Sequence, residues 1–131
     1  MKNIVILSLL FLAFSSCKQN QEVEIGQKTT MEVNPVFNAG KVLLGEEIQA
    51  VFEVTNTGDY PLIFSDITPS CSCTLAEKPE EPIQPGEKGV IKANIATEKT
   101  GVGSISKTVT VVSNTEPSVT PLKIEAVVYR K

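Results

Sequence analysis

The sequence predicts an all-β domain, an antiparallel β-sandwich of about seven strands. Three observations carry this. Four long segments place apolar residues at every second position, which buries one face of a strand and wets the other. Turn-forming residues recur between these segments at short intervals: Asn56-Thr57-Gly58 with Pro61, Pro82 and Pro85-Gly86, Gly101 to Gly103, and Asn114 to Pro117. No window combines helical spacing with a cap and adequate length. The chain has 131 residues, enough for one core and too few for two.

Composition narrows the chemistry. Histidine and tryptophan are both absent, which removes Ser/His/Asp and Cys/His nucleophilic centres, His-containing zinc sites and the usual acid/base group that works near neutral pH. The net charge is -3 and the isoelectric point about 5.0, so the body of the domain offers no basic stripe for nucleic acid. A non-enzymatic protein without cofactors is the expectation.

Taken from the N-terminus, Lys2 and Asn3 precede the run Ile4 to Phe14, apolar except for Ser8, and Ser15, Ser16 and Cys17 follow. This is the order of a secretory signal, and the run falls well short of the roughly 18 to 20 apolar residues a spanning helix needs. Residues 1–16 are therefore expected to be removed. The small pair before a cysteine resembles the lipobox of bacterial lipoproteins, with Phe14 where leucine is usual. The resemblance implies cleavage before Cys17, a diacylglycerol on its sulfur and acylation of its new amino group. Cysteine arithmetic agrees: three cysteines leave an exported chain one odd thiol, and lipidating Cys17 leaves the pair Cys71 and Cys73. Several acyl chains anchor a protein far more firmly than one. The expected location is the cell envelope, lipid-anchored, on the outer membrane to judge from Lys18 in place of aspartate. From Lys18 to Thr30 the chain is polar apart from Val23 and Ile25, so residues 17–30 read as the lipidated cysteine and its tether, and 31–131 as the folded domain.

Within that domain the clearest strand sets Ile48, Ala50, Phe52 and Val54 against Gln49, Val51, Glu53 and Thr55. Ile91, Ala93 and Ile95 form a second inward set. Ile105, Val109 and Val111 form a third, broken by Lys107. Leu122, Ile124, Ala126 and Val128 form a fourth. Shorter runs lie at Met31 to Val33, Val42 to Leu44 and Leu62 to Ile67.

The runs Phe37 to Glu46, Asn56 to Thr74, Pro82 to Ile91, Gly101 to Asn114 and Pro121 to Val128 resemble the bacterial domain-of-unknown-function 1573 family, in the family's order over roughly residues 31 to 129. The resemblance implies an immunoglobulin-like sandwich akin to the major-sperm-protein and ASPM/SPD-2/Hydin domains, in a family common among lipoproteins of Bacteroidota. The family's Cys-Gly-Cys-Thr signature stands here as Cys71-Ser72-Cys73-Thr74, with serine replacing glycine. No activity comes with the resemblance.

Cys71 and Cys73 are the one constellation with reactive potential. On an extended strand, residues two apart share a face at about 6.5 to 7 Å, at or beyond the span of a relaxed disulfide, so a bond between them needs a local turn. Pro69 makes such a turn plausible. The pair could then exchange disulfides, or as two thiolates hold Cu(I), which sulfur ligands select. The plainer expectation is a packed pair or a structural bridge. Lys78 and Lys88 are the cations nearby in sequence. Other apparent motifs fail on geometry. Ser104 and Lys107 fit a Ser-x-x-Lys box and Lys99-Thr100-Gly101 a Lys-Thr-Gly box, but the order is reversed and residues three apart on a strand face opposite ways. Glu46-Glu47 and Glu80-Glu81 read as solvated loop charges. Val51, Val90, Val112 and Val127 fall on outward phases, where an apolar strip could serve as a contact surface or an augmentation edge. The functional expectation is a lipid-anchored binding or structural module whose partner is an envelope protein, peptide or polymer.

Overall fold

A computed structural model describes residues 26–131, and the signal segment and Cys17 lie outside the described residues. Eight strands follow in order: β1 (Met31–Val33), β2 (Val36–Leu43), β3 (Glu47–Asn56), β4 (Phe64–Pro69), β5 (Thr74–Glu77), β6 (Lys88–Ala96), β7 (Gly103–Ser113) and β8 (Val119–Tyr129). One short 3-10 turn, Thr97–Lys99, joins β6 to β7. The strands form two four-stranded sheets, ordered β1-β3-β6-β5 and β2-β8-β7-β4. The domain is the expected sandwich. Among the described residues no helix is long and apolar enough to cross a membrane.

The period-two pattern puts each inward set where burial rewards it. Ile48, Ala50, Phe52 and Val54 of β3 face Ile91, Ala93 and Ile95 of β6 across the antiparallel register Phe52↔Ile91, and all are buried. From the second sheet, Val109 and Val111 of β7 and Leu122, Ile124, Ala126 and Val128 of β8 close the core. Each Val, Leu, Ile or Phe side chain among them contributes about 1.5 to 3 kcal/mol relative to exposure, which makes this double layer the main source of stability. Phe37 of β2 meets Phe52 edge-on across the layers, with ring centroids 6.2 Å apart.

Three details differ from the sequence expectation. β2 extends back to Val36 and pairs parallel to β8, so one ladder of the sandwich is not antiparallel. Its period was masked by a register shift between Asn38 and Lys41, where Gly40 takes a positive φ of 68° that an L side chain rarely adopts. The run at Leu62 is a single bridge to Ile83, and the strand proper starts at Phe64. β5, the eighth strand, has only four residues and no long alternation to announce it.

One end of the sandwich is tied by asparagines. Asn56 is fully buried; its Oδ1 accepts from Thr29 Oγ1 at 2.8 Å and from Gly58 N at 3.1 Å, and its Nδ2 donates to the carbonyls of Tyr60 and Ile83 at 2.8 Å each. Asn114 does the same work from β7's end, accepting from Ile63 N at 2.8 Å and donating to the carbonyls of Gln27 and Pro61. Both residues read in sequence as ordinary turn formers. Their amides in fact satisfy the loop Thr57–Ile63, whose buried backbone would otherwise lack partners.

Candidate functional site

The cysteines lie where the chain crosses from the edge of one sheet to the edge of the other, between β4 and β5. Ser70 N still donates to Thr108 O of β7 at 2.8 Å, and by Cys73 the chain has joined the other sheet, its carbonyl accepting from Ala96 N at 3.0 Å. Between them the backbone turns, and Thr74 N donates to Cys71 O at 3.2 Å. That turn shortens the Cα–Cα separation to 5.2 Å, inside the range a disulfide spans, and the two cysteines are bonded. Cys73 is buried against the core and Cys71 half-buried. Thr74 Oγ1 sits 3.3 Å from the Cys71 sulfur and 3.8 Å from that of Cys73; a bonded sulfur carries no proton, so the hydroxyl is the donor.

The surrounding charges are not those proximity in sequence suggests. β5 pairs Thr74 with Ile95, and Lys88 lies seven residues further along β6, roughly 23 Å away at about 3.3 Å per residue. Its ammonium is bound instead to Glu53 on β3, at 2.6 Å. The β4–β7 ladder ends at Ser70, whose N–H donates to Thr108 O and whose hydroxyl accepts from Thr108 N, and the chain then turns away toward β6. Lys107, the one charged residue interrupting the inward set of β7, lies beyond the last of these bonds. In the bridged state neither sulfur is a thiolate, so Cu(I) ligation would first require reduction.

The other candidates stay apart. Ser104 and Lys107 occupy opposite phases of β7, opposite Val127 and Ile124 respectively. Glu46 is exposed at the corner before β3 and Glu47 is exposed at that strand's first position, while Glu80 and Glu81 are exposed in the β5–β6 connection. Of the four outward valines, Val51, Val90 and Val127 are exposed and Val112 is half-buried.

A second region was not singled out in sequence as a site, although Val51 belongs to it. β1 pairs with β3 over only three positions, Val54 to Asn56. At Asn34-Pro35 the chain leaves that sheet: proline has no N–H for the ladder, its carbonyl accepts from Lys123 N of β8 at 2.7 Å, and Asn34 Oδ1 takes Val36 N at 3.2 Å. The rest of β3, Glu47 to Glu53, is thereby left with no strand on its outer side. Asn56 N donates to Glu87 O toward β6, and Thr57 N donates to Thr30 O toward β1. By strand alternation the backbone groups of Gln49 and Val51 point outward, away from β6. An open groove of about 630 Å³ begins where β1 departs, floored by Phe37 and Phe52 and walled by Val36, Val51 and Glu53. The signal available in sequence was Asn34-Pro35 directly after a short apolar run.

Residues 30–128 match the family described as a protein of unknown function (DUF1573), and the chain belongs to that family. Among solved structures it is similar to a protein of unknown function from Porphyromonas gingivalis W83, with a TM-score of 0.68 and 21% identity over 83% of this chain and 51% of that one. The chain thus spans about half the length of that protein. It is also similar to the ASH / PapD-like domain 7 of human CEP192, with a TM-score of 0.59 and 12% identity over 86% of this chain and 96% of that one. A third similarity, to the Vibrio cholerae VesB protease, has a TM-score of 0.59 and 12% identity over 75% of this chain and 31% of that one. At these identities the likeness is one of fold. No curated protein matches the chain.

Proposed function

We propose that this member of the family is a lipid-anchored module of the cell envelope that binds another envelope component without catalysing a reaction. The observation that carries the binding role is the uncovered half of β3 beside a groove: unpaired backbone donors and acceptors at a sheet edge are a template for another chain. Ser15-Ser16-Cys17 supports the anchor, with acylation at Cys17 and the outer membrane as its location. The expected tether ends earlier than Thr30, because Gln27 and Thr29 are bonded to Asn114 and Thr30 to Thr57; the polar chain before them would let the sandwich stand clear of the headgroups. Affinity capture of the lipidated protein from its own envelope, followed by mass spectrometry, tests the role. A reproducible non-covalent partner is expected, and the absence of any partner would overturn it. Cys17→Ala should release the protein or leave its precursor uncleaved, and an unmodified Cys17 in the mature chain would end the lipoprotein claim.

A second reading, thiol-disulfide exchange at Cys71 and Cys73, is favoured by one observation: Cys71 is only half-buried, at a turn between the two sheets, where the thiolate of a partner could reach the bridge. Mixed disulfides trapped through Cys71 in the same capture would support it. Retention of the partner by the Cys71→Ser, Cys73→Ser double variant would speak for the module.

A further inference from the structure

We propose that the edge of β3 from Glu47 to Glu53 takes up an extended peptide segment as an added strand, and that the segment alternates apolar side chains with basic ones. The inference rests on the module reading and names its partner's chemistry.

The edges of this sandwich are not alike. β2 carries a bulge around Gly40, β4 has a register shift between Phe64 and Asp66 and ends at Pro69, and β5 is four residues long and bounded by the disulfide turn. Each of these devices discourages a further strand. The free stretch of β3 has none of them: it contains no proline, glycine or lysine, and its register with β6 is unbroken from Glu47 to Thr55. Its backbone is regular, straight in register and open on one side.

Side chains along the same stretch state what the added strand should carry. Facing the layer between the sheets are Ile48, Ala50 and Phe52, with Val36 of β2 left 44% exposed at the groove's wall, so the segment's inward residues meet apolar surface. Facing solvent are Glu47, Gln49, Val51 and Glu53, and Glu32 of β1 continues that line above them. Two cations of β6 share this face: Lys88, already bonded to Glu53, and Lys92, paired across from Val51. The end residues of the segment would therefore stand opposite Glu47 and Glu53, where cations are favoured and like charges are penalised. Self-pairing is disfavoured on the same ground. Two copies joined antiparallel about Ala50 would set Glu47 of each against Glu53 of the other.

The probes are two blocked heptapeptides, acetyl-Lys-Val-Lys-Val-Lys-Val-Lys-amide and its counterpart with glutamate in place of lysine, each added to the full chain in detergent. Residue-resolved amide exchange is the readout. The basic peptide should slow exchange at the Gln49 and Val51 amides by about tenfold or more, while the acidic one leaves them unchanged. Glu47→Lys with Glu53→Lys, both exposed positions, should reverse the preference. Val51→Pro, which removes an outward N–H, should abolish protection while the core amides of β6 stay protected. Protection that ignores peptide charge, protection mapped to another face, or a chain that dimerises through these same amides would each overturn the assignment. Failure here is separable from failure of the module reading: an envelope partner captured equally well by the Glu47→Lys, Glu53→Lys chain leaves the module standing and ends the edge assignment.

Discussion

The two edges of one sheet are finished in opposite ways. At β5 the chain arrives through a disulfide turn that is hydrogen-bonded to β7 before the crossing and to β6 after it, so the edge is short and tied on both sides. At β3 the covering strand leaves after three pairs, and the outward backbone groups of Glu47, Gln49, Val51 and Glu53 have no strand alongside. Reactive residue types gather at the first edge, where bonding has quenched them. Unpaired backbone gathers at the second, where the residues are chemically ordinary. The lesson is that in a small sandwich a functional surface can be made by what the backbone leaves unpaired rather than by the side chains a motif search finds.

The comparison can be broken from the core outward. Phe52→Asp should cost about 4 kcal/mol in urea unfolding, because it buries an unpaired carboxylate beneath the open edge, and an unchanged midpoint would mean that the inward phase of β3 is wrong. Asn56→Ala should cost about 3 kcal/mol by stranding the Tyr60 carbonyl and the Thr29 hydroxyl, while the Ile83 carbonyl keeps its bond from Leu62 N; a loss below about 1 kcal/mol would show that water replaces the amide. Replacing both cysteines with serine should cost only about 1 to 2 kcal/mol, since so small a ring removes little chain entropy, and should leave partner capture intact. Loss of capture in a folded double variant would move function to the closed edge.

The smallest effect belongs to the exposed ion pair. Glu53→Gln should leave the urea midpoint at pH 7 nearly unchanged, as surface pairs usually do. The Glu53 hydrogen bond to Lys88, and after it the Glu53 charge, hold Lys88 above its ordinary 10.5. A raised folded value means that any contribution of the pair is complete below the unfolded value and is lost as pH rises through the folded one. Above neutrality the difference between wild type and Glu53→Gln should therefore shrink only at strongly alkaline pH, and a difference that falls just above neutrality would contradict the assignment.

What the sequence made legible follows from period and length. β3, β6, β7 and β8 carry 9 to 11 residues each, and their alternation identified the core through Phe52, Ile91, Val109 and Ile124. β5 was too short to show a period, and β2 was broken by its bulge. The cysteine bridge was open as one of several outcomes, since only the backbone turn at Cys71 to Thr74 decides whether the sulfurs can meet. The free edge was missed because it depends on pairing between distant segments, the chain leaving β3 after β1 to join β8. Local spacing carries no record of that.

The most direct test is the amide exchange of β3 in the free protein. Ile48, Ala50 and Phe52 donate toward β6, whereas Gln49 and Val51 face the uncovered side. The account predicts exchange that alternates along the strand, slow at the even positions and fast at Gln49 and Val51. Uniformly slow exchange from Glu47 to Glu53 would show that the edge is already covered, and would contradict it.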